Sequence, residues 1–246
     1  MQYKYVKAPP GFMLKKPMST AQSLRVGLSA LLLTAGVTAL TSVAYPMVIY
    51  QIEYAPTFAA VEPQPAGAVL SAQVPKTHEP TFVREMINTT FDYTDSNNWF
   101  PTATHAASNM DAAAYMLSIP KLGIKNADVR NDHTDLKKTL IHYPGTAMPG
   151  DLGNTVIFGH SVLPQFFSPT NYTSIFSTLH TLVPGDEVVI TEGEVTYTYH
   201  IVDMYSVEPS NLTPLAQGYD RHSLTIITCT PPGTYLKRLI VKAELL

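Results

Sequence analysis

The chain carries one long apolar run near its N-terminus. Residues 26–50 read VGLSALLLTAGVTALTSVAYPMVIY and contain no charged side chain over 25 positions. Because a helix rises ~1.5 Å per residue, a run of this length reaches across a hydrocarbon core about 30 Å thick. The pattern therefore predicts a single transmembrane helix over 26–50, in contact with membrane lipid.

The charges on either side of this run differ in sign. Five basic residues and no acidic residue precede it: Lys4, Lys7, Lys15, Lys16 and Arg25. The first charge after it is Glu53. This asymmetry predicts that residues 1–25 are a cytoplasmic basic segment and that the rest of the chain lies outside the cytoplasm. Cleavage at the small residues 42–44 is an alternative that would release the chain from the membrane but keep the same location.

Residues 51–110 have no sustained period of 2 or 3.6 and are rich in Pro, Ala and polar side chains. Such a composition is typical of a linker, and we predict an extracytoplasmic stalk. Its aromatic residues Phe91, Tyr93, Trp99 and Phe100 leave open whether its last part docks on the following domain.

From residue 111 onward the hydrophobic pattern changes to short segments rich in Val, Ile, Thr and Tyr. The segments are AYMLSIP, GNTVIFG, DEVVIT, VTYTYHIVDMYSV, LTIITC and RLIVKAEL, with turn sequences such as VPGD and PPGT between them. They predict an all-β domain over 111–246, built as a sandwich or barrel. Two further segments, 133–138 and 171–179, have the pattern of short helices.

The chain has a single cysteine, Cys229, and its formal net charge of −3 gives no indication of a nucleic-acid partner. One thiol cannot form an internal disulfide, so it stays free even outside the cytoplasm. Cys229 ends an apolar strand and precedes a Pro-Pro-Gly turn, a position from which a strand presents a side chain to a cleft. The plainer interpretation is a small buried apolar side chain.

A nucleophilic thiol needs a base or a cation beside it. Among eight histidines, His160 in VIFGHS follows an apolar strand and a glycine, and so has the same strand-end placement as Cys229. Arg238 begins the next strand, where alternate residues from Leu239 to Leu245 form the inward set, so Arg238 faces outward. Antiparallel pairing of the two strands would bring guanidinium and thiol together. A structural histidine and a surface arginine remain the alternatives.

Two stretches resemble the active-site segments of sortases. TIITCTPPGTYLKRLIV is similar to the signature in which Thr-Cys is followed nine residues later by an arginine that opens a strand. HYPGTAMPGDLGNTVIFGHS resembles the segment that ends in the catalytic histidine, and AYMLSIPKLGI and LVPGDEVVI resemble flanking strands. The resemblance covers about residues 113–246 in the right order, with Ile226 in place of the more usual leucine.

This resemblance implies an eight-stranded sortase-type β-barrel with short helices, and the activity of a membrane-anchored cysteine transpeptidase. Sortases cut a sorting motif of the Leu-Pro-x-Thr-Gly type and transfer the acyl group to an amine of the cell wall or of a pilus subunit. By this resemblance Cys229 is the nucleophile, His160 the general acid and base, and Arg238 the residue that stabilises the oxyanion or fixes the substrate backbone. Thr228 is implied to contact substrate.

The implied chemistry needs no metal or other cofactor. Three acidic residues, Asp128, Asp132 and Asp135, lie near one turn, and we interpret them as a solvated loop rather than a calcium site. The absence of an apolar segment before Leu246 favours a housekeeping anchoring enzyme of the class A, D or E type over a pilus polymerase. Two alternatives stay open: a secreted cysteine peptidase, and a non-catalytic membrane-tethered β-module that binds surface proteins.

Overall fold

The computed structural model describes residues 19–58, 92–100 and 114–245. They fall into two compact units, which divide between Tyr45 and Pro46. The first unit contains most of the apolar helix α1, Thr20–Ile49, whose side chains are exposed as far as Tyr45. The helix is long and apolar enough to cross a membrane, and a large exposed apolar surface is what a lipid environment requires. Residues 1–18 of the predicted basic segment lie outside the described residues.

The second unit contains a closed barrel of eight strands in the order β1-β2-β3-β4-β7-β8-β6-β5, which confirms the predicted fold class. Pairs β2–β3 and β4–β7 are parallel and the other pairs are antiparallel. The strands are β1 Ala114–Ile119, β2 Ile124–Arg130, β3 Leu140–His142, β4 Gly153–Phe158, β5 Glu187–Glu192, β6 Val195–Val207, β7 His222–Thr230 and β8 Lys237–Leu245.

Six of these strands were predicted from the sequence, whereas β2 and β3 were not. In β2 the alternation of polar and apolar residues is interrupted at Asn126, which adopts a left-handed backbone with φ 50°. β3 is only three residues long, too short for a period of 2 to be recognised.

The two segments predicted as short helices, 133–138 and 171–179, are not α-helical: 136–138 and 172–178 are turns, Asp135 forms an isolated β-bridge, and Leu179 begins a short 3₁₀ helix. Hydrogen bonds from residue i+3 back to residue i hold the second run, for example from the Ser174 amide to the Asn171 carbonyl at 2.9 Å. The side chain of Asn171 also accepts from the amide and the hydroxyl of Thr173. Such local side-chain bonds compete with a helix, which explains why the apolar spacing was misleading.

The barrel unit has two apolar clusters, one inside the barrel and one on its outer face. The outer cluster is covered by residues 92–100, which we call the strap. Trp99 and Phe100 of the strap are 0% and 1% exposed. Backbone hydrogen bonds attach the strap to the loop before β3, from the Ser96 amide to the Thr134 carbonyl and from the Leu136 amide to the Thr94 carbonyl.

The aromatic residues Trp99 and Phe100 of the predicted stalk therefore pack on the barrel, which answers the question that the sequence left open. Phe91, with the rest of 59–91 and 101–110, lies outside the described residues. The division into a stalk over 51–110 and a catalytic domain over 111–246 stays a prediction.

Gly159, between β4 and the candidate base, is required for close packing. A Cβ atom at this position would lie 2.4 Å from the ring of Phe176 and 2.7 Å from Cδ2 of Leu140. We expect Gly159→Ala to lower the free energy of unfolding by about 1–3 kcal/mol, because the ring has to shift in a packed core. The measurement is denaturant unfolding of both chains. Gly218→Ala, where only Asp220 Oδ1 lies within 4 Å, is the control, and equal losses in both variants would contradict the steric account.

Candidate active site

The ends of two parallel strands form the site. β4 and β7 pair up to Phe158 and Ile227, so His160 and Cys229 each follow two residues later at the same barrel edge. In the antiparallel pair of β7 and β8, Cys229 lies directly opposite Arg238. The structure thus brings together the three residues that the sequence predicts as catalytic.

Cys229 is buried, with 1% of its surface exposed, and packs in the outer apolar cluster. Burial raises the pKa of its thiol to about 11, although the positive charge of Arg238 acts to lower that pKa. Removal from water disfavours the thiolate more than the guanidinium stabilises it. The thiol is therefore protonated at neutral pH while the strap covers it.

His160 is 7% exposed, and the centre of its ring lies 5.8 Å from that of Trp99. The pKa of its imidazole is lowered to about 4, mainly by burial and to a smaller extent by the charge of Lys137, while Asp135 and Asp92 act in the opposite direction. The imidazole is therefore neutral at neutral pH. A neutral ring can accept a proton, as a general base must.

Thr228, predicted to contact substrate, has its side chain on the opposite face of β7 from the thiol. It is buried, and its hydroxyl donates a hydrogen bond to the Gly159 carbonyl at 2.8 Å. This bond ties β7 to the residue before His160. A contact between Thr228 and substrate stays a prediction.

Ser161 is a site residue that the sequence analysis missed. Its buried hydroxyl donates to the Cys229 carbonyl at 2.7 Å, while the carbonyl of His160 accepts from the Phe176 amide at 3.0 Å. The backbone around the base is thereby held against the strand of the nucleophile. The available signal was a hydroxyl side chain directly after the candidate base.

Arg238 is not a surface arginine, since it is 1% exposed. Its Nε and Nη2 atoms donate to the Trp99 carbonyl at 3.2 and 3.0 Å, and Nη1 donates to the Tyr235 carbonyl at 3.1 Å. The guanidinium carbon lies 5.4 Å from the centre of the Trp99 ring, within range of a cation–π interaction. Among the described residues no carboxylate pairs with this cation.

The strap closes the site with aromatic contacts. The Trp99 ring stacks on Phe158 at 5.4 Å, and its Nε1 donates to the Tyr93 carbonyl at 2.8 Å. The Tyr93 ring stacks on Tyr235 at 4.1 Å with an angle of 6° between planes. In this conformation the Trp99 carbonyl of the strap occupies the Nε and Nη2 donors of Arg238, and the strap shares one buried apolar cluster with Cys229.

The three acidic residues considered as a calcium site each face a basic neighbour. The pairs are Asp128 with Arg130 at 3.1 Å, Asp132 with His133 at 3.9 Å and Asp135 with Lys138 at 3.4 Å. Across residues 19–58, 92–100 and 114–245, no group of three or more His, Cys, Asp or Glu side chains is placed to hold a metal ion.

Removing the Trp99 ring tests whether the strap raises the pKa of the Cys229 thiol and slows its alkylation. Because burial is the main cause that raises the thiol pKa, Trp99→Ala should lower that pKa. A decrease of one unit gives about tenfold more thiolate at pH 8, so we expect alkylation by iodoacetamide to be at least about tenfold faster, with its pH midpoint moved down. Phe166→Ala, which alters an aromatic side chain that is 64% exposed, is the control. An unchanged rate and midpoint in Trp99→Ala would show that the strap does not protect Cys229.

Three comparisons identify relatives of this chain. A family model described as Sortase domain matches residues 117–246. Sortase A of Streptococcus agalactiae is 34% identical over 71 residues, which are 29% of this chain and 28% of that relative's length. The match thus spans less than a third of the curated relative.

Solved structures of sortases are also similar to this chain. A Clostridium perfringens Sortase D5 transpeptidase shares 32% identity, with a TM-score of 0.46 over 54% of this chain and 78% of the other. Sortase A of Corynebacterium diphtheriae, a lid mutant, shares 26%, with 0.47 over 56% and 73%. The pilus-related Sortase C of Group B Streptococcus shares 27%, with 0.48 over 56% and 69%. With a family model that matches more than half of its residues, this chain belongs to the sortase family.

Proposed function

We propose that this chain is a cysteine transpeptidase that cleaves a sorting motif of the Leu-Pro-x-Thr-Gly type between Thr and Gly and transfers the acyl group to an amine. One observation carries the proposal. Cys229 lies directly across from Arg238, the guanidinium fork of Arg238 already binds the peptide carbonyl oxygen of Trp99, and the ring of Trp99 lies 5.8 Å from that of His160. A scissile carbonyl needs the same three neighbours: a thiol, a fork of donors and a base.

Acylation begins when the strap leaves the site and water reaches the thiol and the imidazole. Proton transfer from Cys229 to His160 then gives a thiolate and an imidazolium. Hydration favours both charged forms, and the neighbouring positive charge of Arg238 favours the thiolate. The thiolate sulfur attacks the carbonyl carbon of the sorting-motif threonine. The carbonyl oxygen gains negative charge and takes the donors of Arg238 that the Trp99 carbonyl occupies in the covered state.

His160 completes both halves of the reaction. As imidazolium it protonates the glycine nitrogen, the C–N bond breaks, and a thioester remains on Cys229. The neutral imidazole then takes a proton from the incoming amine, which attacks the thioester and releases the thiol. The product is a new amide bond between the threonine carbonyl and the acceptor.

The proposed substrates are surface proteins that carry the sorting motif, and the acceptor is an amine of the cell wall or of a pilus subunit. We further propose that residues 26–50 anchor the enzyme in the cell membrane, with residues 1–25 in the cytoplasm and the catalytic domain outside. The exposed apolar surface of α1 and the basic residues before it support this placement.

Substitution of Arg238 separates charge from geometry. Lysine keeps the charge but loses the planar fork that holds the Trp99 carbonyl through two nitrogen atoms. We expect Arg238→Lys to lower kcat/KM on a fluorogenic sorting peptide by about 10²–10³-fold, the usual loss on removal of one oxyanion donor. Melting temperature is measured in parallel because the side chain is buried. Near-normal turnover by the lysine variant would leave only a long-range charge effect for Arg238.

Among the histidines, only His160 should be essential for turnover. General acid–base catalysis contributes about 10²–10⁴-fold, so His160→Ala should lower kcat/KM within that range, while His200→Ala on the outside of β6 should not.

Adding triglycine as an acceptor should convert released acyl peptide into the triglycine adduct. If the peptide is only hydrolysed, with or without the amine, the chain is a peptidase. If the wild-type chain cleaves no peptide, it is a non-catalytic module.

A further inference from the structure

The last residues of α1 and the chain that follows them pack with the barrel. Residues 46–58, which we call the exit segment, belong to the same compact unit as the eight strands. The segment includes a π-helical turn, Tyr50–Tyr54. Two of its aromatic side chains, Tyr50 and Phe58, are 5% and 6% exposed and lie in the apolar cluster inside the barrel. The sequence predicted most of this segment as the start of a stalk.

The exit segment is fixed to the barrel at separate points. The ring of His180 lies edge-on to Tyr50 and to Tyr54, with centroid distances of 5.4 and 4.6 Å. The carbonyl of Phe58 accepts hydrogen bonds from the amide and the hydroxyl of Ser206 in β6, at 3.1 and 3.0 Å. These contacts at Tyr50, Tyr54 and Phe58 give the π-helical turn a defined position relative to the strands.

Tyr50 makes a hydrogen bond at the end of the strand that carries the nucleophile. The hydroxyl of Thr230, the residue directly after Cys229, donates to the Tyr50 hydroxyl. Thr230 is 2% exposed and is the last residue of β7. A buried hydroxyl that loses its partner is costly, so this bond resists displacement of the strand end.

The peptide unit between Cys229 and Thr230 is therefore held from two sides. On one side the hydroxyl of Ser161 donates to the Cys229 carbonyl. On the other, the buried hydroxyl of Thr230 donates to the hydroxyl of Tyr50. Both bonds act within one residue of the thiol, and they restrict where its sulfur can lie relative to His160.

We propose that Tyr50 is a positioning residue for Cys229, and that through Thr230 the exit segment sets the location of the nucleophile. In the reaction the sulfur has to lie within reach of a carbonyl carbon, an imidazole and a guanidinium at the same time. A small misplacement of a reacting atom lowers the rate steeply. The proposal rests on the proposed function for its kinetic readout. It means that residues far along the chain from the Cys229 segment help to position the nucleophile.

The test uses the full chain in detergent micelles, with Tyr50→Phe, Thr230→Val and the double variant. Both substitutions keep side-chain volume close to the original and remove one partner of the hydrogen bond. We expect each single variant to lower kcat on the sorting peptide by about tenfold, with KM within about twofold. The double variant should be no slower than either single variant, because all three lack the same bond.

Tyr54→Phe is the matched control, since it removes a tyrosine hydroxyl from the same π-helical turn and keeps the ring beside His180. It should leave kcat within about twofold of the wild type. Unchanged kcat in Tyr50→Phe and Thr230→Val would overturn the proposal. So would losses that multiply in the double variant, or a loss that only follows a reduced folded fraction at the assay temperature.

Alkylation of Cys229 by iodoacetamide separates this proposal from the proposed function, because it requires no peptide. A freed strand end opens more often, so Tyr50→Phe and Thr230→Val should each be alkylated at least about threefold faster, with no further increase in the double variant. If the wild-type chain cleaves no sorting peptide, the proposed function fails. The alkylation rates alone then decide whether Tyr50 positions Cys229. Alkylation rates equal to that of Tyr54→Phe would then overturn the role of Tyr50.

Discussion

The guanidinium of Arg238 is a buried positive charge held by carbonyl oxygens. The rest of the site depends on which acceptors its N–H groups bind. Burial of an unpaired cation is costly, so its donors need acceptors at all times. In the covered state the carbonyls of Trp99 and Tyr235 provide them. Cys229, directly across the sheet, experiences the same charge, which acts to lower the thiol pKa. Under the proposed function, a substrate carbonyl therefore takes the place of the Trp99 carbonyl at these donors.

In the covered state both the thiol of Cys229 and the imidazole of His160 are uncharged. A thiol with a pKa of about 11 is ionised to about one part in 10⁴ at pH 7, and an imidazole with a pKa of about 4 is almost entirely neutral. Desolvation is the largest cause of both shifts, in opposite directions for an acid that becomes negative and a base that becomes positive. Removal of the strap would hydrate both groups, so one movement favours the thiolate and the imidazolium together.

The barrel and the strands that carry the candidate site could be predicted from the sequence because the patterns that mark them are local. Period-2 alternation marks β6 and β8, and strand-end placement marks His160 and Cys229. Local patterns failed where geometry is irregular, as at Asn126 in β2, or where side chains bond to nearby backbone, as at Asn171.

Contacts between distant parts of the chain were beyond such reasoning. Trp99 and Arg238 are 139 residues apart, and Tyr50 and Thr230 are 180 apart. No spacing in the sequence relates these positions, and only closure of the barrel places the strap on one of its faces and Tyr50 of the exit segment at the end of β7. Ser161 is different, since a hydroxyl next to the candidate base was visible but had no assigned partner.

Intact-protein mass spectrometry after exposure to a Leu-Pro-x-Thr-Gly peptide tests the central claim most directly. The account predicts a mass increase equal to the acyl part of the peptide, located on Cys229 and absent in Cys229→Ala. Addition of an amine should remove the adduct and yield the transfer product. A wild-type chain whose Cys229 reacts with iodoacetamide but never acquires the acyl mass from any sorting peptide would contradict the account.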